Sequence, residues 1–162
     1  MLMDYRRFKN KSVADFPFFR GYLGVTLLTG LISVSAMAEV SHPAKLSQKA
    51  LDGAAFDDPS TTITEVDGEN ILDFTSLKSS DGKFASGMYK DGSQIFDIND
   101  PYGVDEFMFF LEGILTLTSA DGAVTTVNAG EGVTIPKEWI GRWETADYRE
   151  IWIIYSEDGS GL

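Results

Sequence analysis

From residue 61 to residue 155 the chain reads as short apolar and β-branched runs broken at close, even intervals by turn residues. The pattern predicts ten strands, over 61–66, 71–76, 83–89, 94–98, 106–111, 114–119, 123–127, 132–135, 141–145 and 149–155. Turns are marked by Asp67-Gly68, Asp81-Gly82, Asp91-Gly92, Asp121-Gly122 and Gly130-Glu131-Gly132. An Asp-Gly pair supplies the positive φ that a tight hairpin needs. Many short strands with no long helical period predict a single all-β domain, an antiparallel sandwich or barrel. Ahead of it, residues 44–55 could form a short helix with Leu46, Ala50 and Leu51 on one side, stopped by Asp57-Asp58-Pro59-Ser60. Residues 39–60 thus read as an N-terminal arm, 61–156 as the barrel and 157–162 as a flexible tail.

Side chains alternate between the two faces of a strand. In 106–111 this puts Glu106, Met108 and Phe110 on one face and Phe107, Phe109 and Leu111 on the other. Both faces are apolar apart from one carboxylate. The outer wall of this strand is therefore expected to be covered, by a partner subunit or by the arm, because such a patch left bare invites association. A homodimer follows as the expected assembly. Glu106 becomes a lone acid among inward aromatics, which needs a cation or hydrogen-bond donors, or else its pKa rises. It is either a ligand-facing or proton-transferring group, or a structural acid satisfied by backbone amides or a nearby Tyr. In 141–145, Trp143 and Thr145 share the inward face while Arg142 and Glu144 face out, so Trp143 is a candidate cavity wall. Ile151 to Ile154 read as core, and Arg149-Glu150 as a pair turned to solvent or to neighbours.

Charge separates the first 38 residues from the rest. Arg6, Arg7, Lys9, Lys11 and Arg20 precede an uncharged, mostly apolar run, Tyr22 to Ala38, which ends in Ala36-Met37-Ala38. A basic flank, a short apolar run and a small-residue exit predict a secretory leader over 1–38, removed before Glu39. The run is shorter than a membrane-spanning helix requires. The expected compartment is periplasmic or secreted, with no stable membrane insertion after cleavage. The whole chain carries a formal −12; the leader takes 5 basic and 2 acidic residues, leaving 8 and 23, a net of −15. That surface argues against nucleic-acid binding. The chain has no Cys and a single His, His42, so no imidazole-rich or thiolate metal site is expected.

Glu106 is followed by six residues and Gly113, and Gly130 by five residues and Pro136. With Ser86-Gly87-Met88-Tyr89, Gly92, Tyr102, Asp105-Glu106-Phe107, Leu111-Glu112-Gly113, Asp121-Gly122 and Gly141-Arg142-Trp143-Glu144, this order resembles the cupin superfamily. More narrowly, it is similar to the cupin domain of (S)-ureidoglycine aminohydrolase. The resemblance implies a double-stranded β-helix, the cupin jelly roll. In metal-dependent cupins two His precede the Glu and a third lies in the second motif. Here those positions fall on Asp100 and Tyr102, or on Asn99 and Pro101, and on Gly141. No transition metal or other cofactor is therefore expected. An oxygen-only site for Ca²⁺ or Mg²⁺ would have only Asp100, Tyr102 and Glu106 to draw on.

Three functions stay open. The first is a metal-free binding protein for a small polar or planar molecule, with a pocket lined by Tyr89, Asp100, Tyr102, Glu106, Met108 and Trp143. The second is an enzyme, an aminohydrolase-like hydrolase or an isomerase, with Glu106 as the best catalytic candidate. The third is a structural or interaction module whose barrel is filled with side chains.

Overall fold

A computed structural model describes residues 42–66 and 68–162 of the chain. The leader predicted over 1–38 and Asp67 of the first turn lie outside the described residues. Those described form ten strands in two antiparallel sheets: β1 (Thr62–Val66), β2 (Glu69–Lys78), β3 (Phe84–Asp91), β4 (Gln94–Ile98), β5 (Asp105–Glu112), β6 (Ile114–Ser119), β7 (Val124–Asn128), β8 (Gly132–Ile135), β9 (Gly141–Thr145) and β10 (Tyr148–Tyr155). One sheet runs β1-β2-β3-β10-β5-β8, the other β4-β9-β6-β7. Neighbours distant in sequence, such as β3 beside β10 and β4 beside β9, make this a jelly roll rather than a meander. Each predicted strand corresponds to an observed one, with ends differing by a few residues.

The two sheets bury facing rows. On the larger sheet, β10 alternates without a break: Tyr148, Glu150, Trp152 and Ile154 are buried, and Arg149, Ile151 and Ile153 are half-buried on the other face. On β5, Glu106, Met108 and Phe110 are buried, as their parity predicts. The smaller sheet contributes Ile98, Leu115, Leu117, Val127 and Trp143. Phe96 and Trp143, register partners on β4 and β9, stack at 5.9 Å. Arg142 and Glu144 face outward as expected, with Arg142 paired to Asp97 at 3.0 Å.

One close approach sets the inner surface. A Cβ at Gly87 would stand 2.0 Å from the Phe74 carbonyl oxygen and 2.5 Å from the Trp152 ring. No side chain fits there, and the missing one is what lets the indole of its register partner Trp152 lie across the sheet. At the β5–β6 corner Gly113 takes φ 82, and a Cβ there would meet the Asp147 carbonyl oxygen at 2.2 Å.

The arm differs from its expectation. The helix is a single turn, α1 (Gln48–Leu51), capped by Ser47, whose side chain accepts from the Ala50 amide at 3.2 Å. Gly53 at φ 116 breaks it, and a 3-10 turn, Ala54–Asp57, follows. A continuous helix over 44–55 would need that glycine in helical geometry. The arm lies by the outer wall of the larger sheet: a Cβ on Gly53 would sit 3.1 Å from Arg149 Nη1, and the Thr61 hydroxyl donates to the Ala55 carbonyl. Beyond that cover Leu77, Phe107 and Tyr155 remain exposed on the same face. The sequence reads 157–162 as a flexible tail, but in the structure the segment folds back. Leu162 packs against the core, and the Ser156 hydroxyl donates to the Ser160 carbonyl at 2.6 Å.

Candidate functional site

Side-chain parity and register bring acids and aromatic rings together inside the barrel. Asp73, Tyr89, Glu150 and Phe110 are successive partners across β2, β3, β10 and β5. All four sit on the inner face, so two carboxylates flank one tyrosine. Glu106 lies further along β5, opposite Ile154 of β10 and Ile135 of β8. Trp143 and its sheet close the space from the other side. A cavity of about 20 Å³ results, lined by Asp73, Tyr89, Glu106, Trp143, Tyr148, Glu150, Trp152 and Ile154.

Each acid is deeply buried, and burial dominates its titration. Glu106 is pushed up to about 7 by desolvation, offset in part by a hydrogen bond from the Tyr102 hydroxyl and reinforced by the charge of Asp73. Glu150 is driven well above the usual carboxylate range, first by desolvation and then by the charges of Glu106 and Asp73. Asp73 is raised, and desolvation by burial is the largest influence on it. The tyrosines respond in the same sense: burial and neighbouring carboxylates raise Tyr89, Tyr102 and Tyr148. Three carboxyl groups thus feel one another across a space that holds no compensating Lys or Arg among its lining residues. Glu150 is 4 % exposed, and its Oε2 has no hydrogen-bond partner among the described residues.

The ring packing fixes the walls. Tyr148 stacks on Phe110 at 5.5 Å and meets Tyr89 at 5.9 Å. The Tyr89 hydroxyl donates to Asp91 at 3.3 Å. Tyr102 is edge-on to Trp139 at 6.3 Å, and its amide donates to the Trp139 carbonyl. That brace holds the Tyr102 hydroxyl against Glu106.

Of the six residues expected at the pocket, Tyr89, Glu106 and Trp143 line it. Tyr102 acts through Glu106. Met108 is buried on the inner face but is not a lining residue, because Trp152 lies beside it as its register partner. Asp100 is exposed in the loop after β4 and does not join the site. The lining residues that the sequence reading passes over are Asp73, Tyr148, Glu150, Trp152 and Ile154. Glu150 is a correction: it is buried and faces inward, while its neighbour Arg149 faces out and pairs with Glu112 at 2.7 Å. Parity was the available signal, since Glu150 is in step with Tyr148, Trp152 and Ile154 along β10.

The metal positions implied by the cupin motifs do not fit a metal here. Asp100 is exposed, and Tyr102 already donates to Glu106. At Gly141 a Cβ would stand 2.3 Å from the Thr118 carbonyl oxygen and 2.7 Å from the Trp139 ring, so a side chain has no room. No three His, Cys, Asp or Glu side chains cluster as metal ligands among the described residues.

Two facing antiparallel sheets of this topology, with Glu106 on the strand next to the edge strand β8 of the larger one, define an all-β jelly roll. Residues 97–150 of the chain match the family model described as the EutQ-like cupin domain. No curated protein sequence matches it significantly. Among solved structures it is similar to the EutQ protein of Clostridium difficile, 21 % identical over 64 % of this chain and 75 % of that one, with a TM-score of 0.46. It is also similar to an ethanolamine utilization protein Q of Salmonella typhimurium LT2, 19 % identical over 60 % of this chain and 95 % of that one, TM-score 0.47. KdgF from Halomonas sp. is 11 % identical over 59 % and 86 % of the two chains, TM-score 0.46.

Proposed function

We propose that this chain is an exported cupin that binds a small polar or planar molecule inside its barrel without a transition metal. The observation that carries the reading is the convergence of Asp73, Glu106 and Glu150 with four aromatic rings on one cavity. A barrel kept only as a packed core has no use for three buried carboxyls, each of which costs stability. Aromatic walls with a few placed polar groups are the usual make-up of a ligand site. The leader-like pattern of residues 1–38 supports export to the periplasm or beyond, and N-terminal sequencing of the exported protein checks it. The exposed Leu77, Phe107 and Tyr155 on the outer wall support a homodimer, checked by light scattering.

The test combines metal analysis of the purified protein with a ligand screen read by tryptophan fluorescence. Expected are substoichiometric metal and a saturable change on addition of a binder. A stoichiometric transition metal overturns the metal-free reading.

A second reading rests on Glu106 itself. A carboxyl that titrates near neutrality, braced by a tyrosine hydroxyl, is suited to proton transfer. A hydrolase or isomerase, the aminohydrolase-like alternative included, would use it as acid or base. Glu106→Gln separates the two: an enzyme loses turnover while retaining ligand, whereas a binder has no turnover to lose.

A further inference from the structure

We propose that the barrel cavity takes a primary ammonium group, seated on Glu150 and walled by the rings of Trp143, Trp152, Tyr89 and Tyr148. This rests on the binding reading above and names the ligand's charge and size.

Charge comes first. Every titratable group lining the cavity is an acid or a phenol, and no basic side chain lines it. An anion would meet three carboxyl groups and no donor of positive charge. A neutral ligand would leave the mutual repulsion of the acids in place. A cation relieves it, and Glu150 Oε2, buried and without a partner among the described residues, is an acceptor waiting for a donor. The aromatic walls act in the same sense, because ring faces attract cations, all the more in a desolvated site.

Size then selects the kind of cation. About 20 Å³ is room for about one water molecule. A primary ammonium head is of that size; a quaternary head is several times larger. A metal ion is disfavoured by geometry. Asp73 and Glu150 stand on strands two apart, about 10 Å at the backbone, and no three candidate ligands cluster among the described residues. An ammonium needs no such closed shell. Its three N–H donors can turn to separate acceptors, with Glu150 Oε2 open to one and Glu106 and Asp73 adding a negative field.

The test uses the full chain with ¹⁵N-labelled indoles and three probes of similar size: ethylammonium, ethanol and acetate. Ethylammonium is expected to shift the Trp143 and Trp152 indole signals saturably, leaving Trp139, which donates to Ser119 away from the cavity, as an internal control. Glu150→Gln keeps the volume and is expected to weaken ethylammonium at least about tenfold. If that variant does not fold, Asp73→Asn replaces it, with weakening again expected. Should ethanol or acetate bind there as well as ethylammonium, or should the folded variant bind unchanged, the ammonium assignment falls and the binding barrel stands. Should none of the probes disturb the two cavity indoles, both fall.

Discussion

Glu106 shows how one side chain can be read in sequence and still change meaning in the fold. Its inward position follows from strand parity alone. Its company does not: Tyr102 donates to it, the charge of Asp73 raises it from another strand, and its own charge raises Glu150 in turn. The sign of its effect on stability is fixed by the raised pKa. Between the unfolded value, near 4.5, and about 7, the folded chain holds a proton that the unfolded chain has released. Stability therefore falls as pH rises through that window, by about 3 kcal/mol from this group, and levels off above it. Asp73 and Glu150, also raised, steepen the fall. Glu106→Gln is expected to flatten the slope, as measured by denaturant unfolding at a series of pH values. An unchanged slope would show that Glu106 is not the titrating group. Gly141→His puts an imidazole at the motif position and meets the Thr118 carbonyl and the Trp139 ring. It is expected to lower stability by roughly 1–3 kcal/mol, read as a lower melting temperature, and to create no metal affinity.

At the scale of elements, alternation and Asp-Gly turns were enough to place all ten strands. Both depend on nearest neighbours in sequence, which a single chain displays. The arm was less legible, since whether Gly53 continues or breaks a helix depends on its φ, and that is set by packing near Arg149. The site was half legible. Glu106 and Trp143 could be found because each lies on a strand whose parity was read. Glu150 and Asp73 could not be weighed together, because pairing β3 with β10 is a long-range fact. Asp100 was drawn in by motif spacing, but its loop leaves it exposed. Gly87 belongs to this scale too, since it keeps β2, β3 and the Trp152 indole in register. Gly87→Ala is expected to destabilise by a few kcal/mol and to weaken the near-ultraviolet circular dichroism of the tryptophans. A neutral outcome would mean that the indole does not depend on that gap.

The whole molecule joins an acidic exterior to an acidic interior. The exterior charge serves solubility. Burial and mutual repulsion favour the protonated form of the interior acids, and admitting something positive favours the ionised form. The same groups couple ligand to proton: an ammonium favours the ionised acids, so binding should expel protons and tighten as pH rises. The groups facing Glu106 in this coupling are Tyr102, Asp73 and Glu150, and no base lines the cavity to cancel them. The most direct measurement is the calorimetric affinity of ethylammonium for the full chain between about pH 5 and about pH 8, in buffers of different ionisation enthalpy. Affinity is expected to rise by on the order of tenfold or more across that range, with proton release on binding. An affinity that stays flat or falls with pH, or binding without proton release, would contradict it.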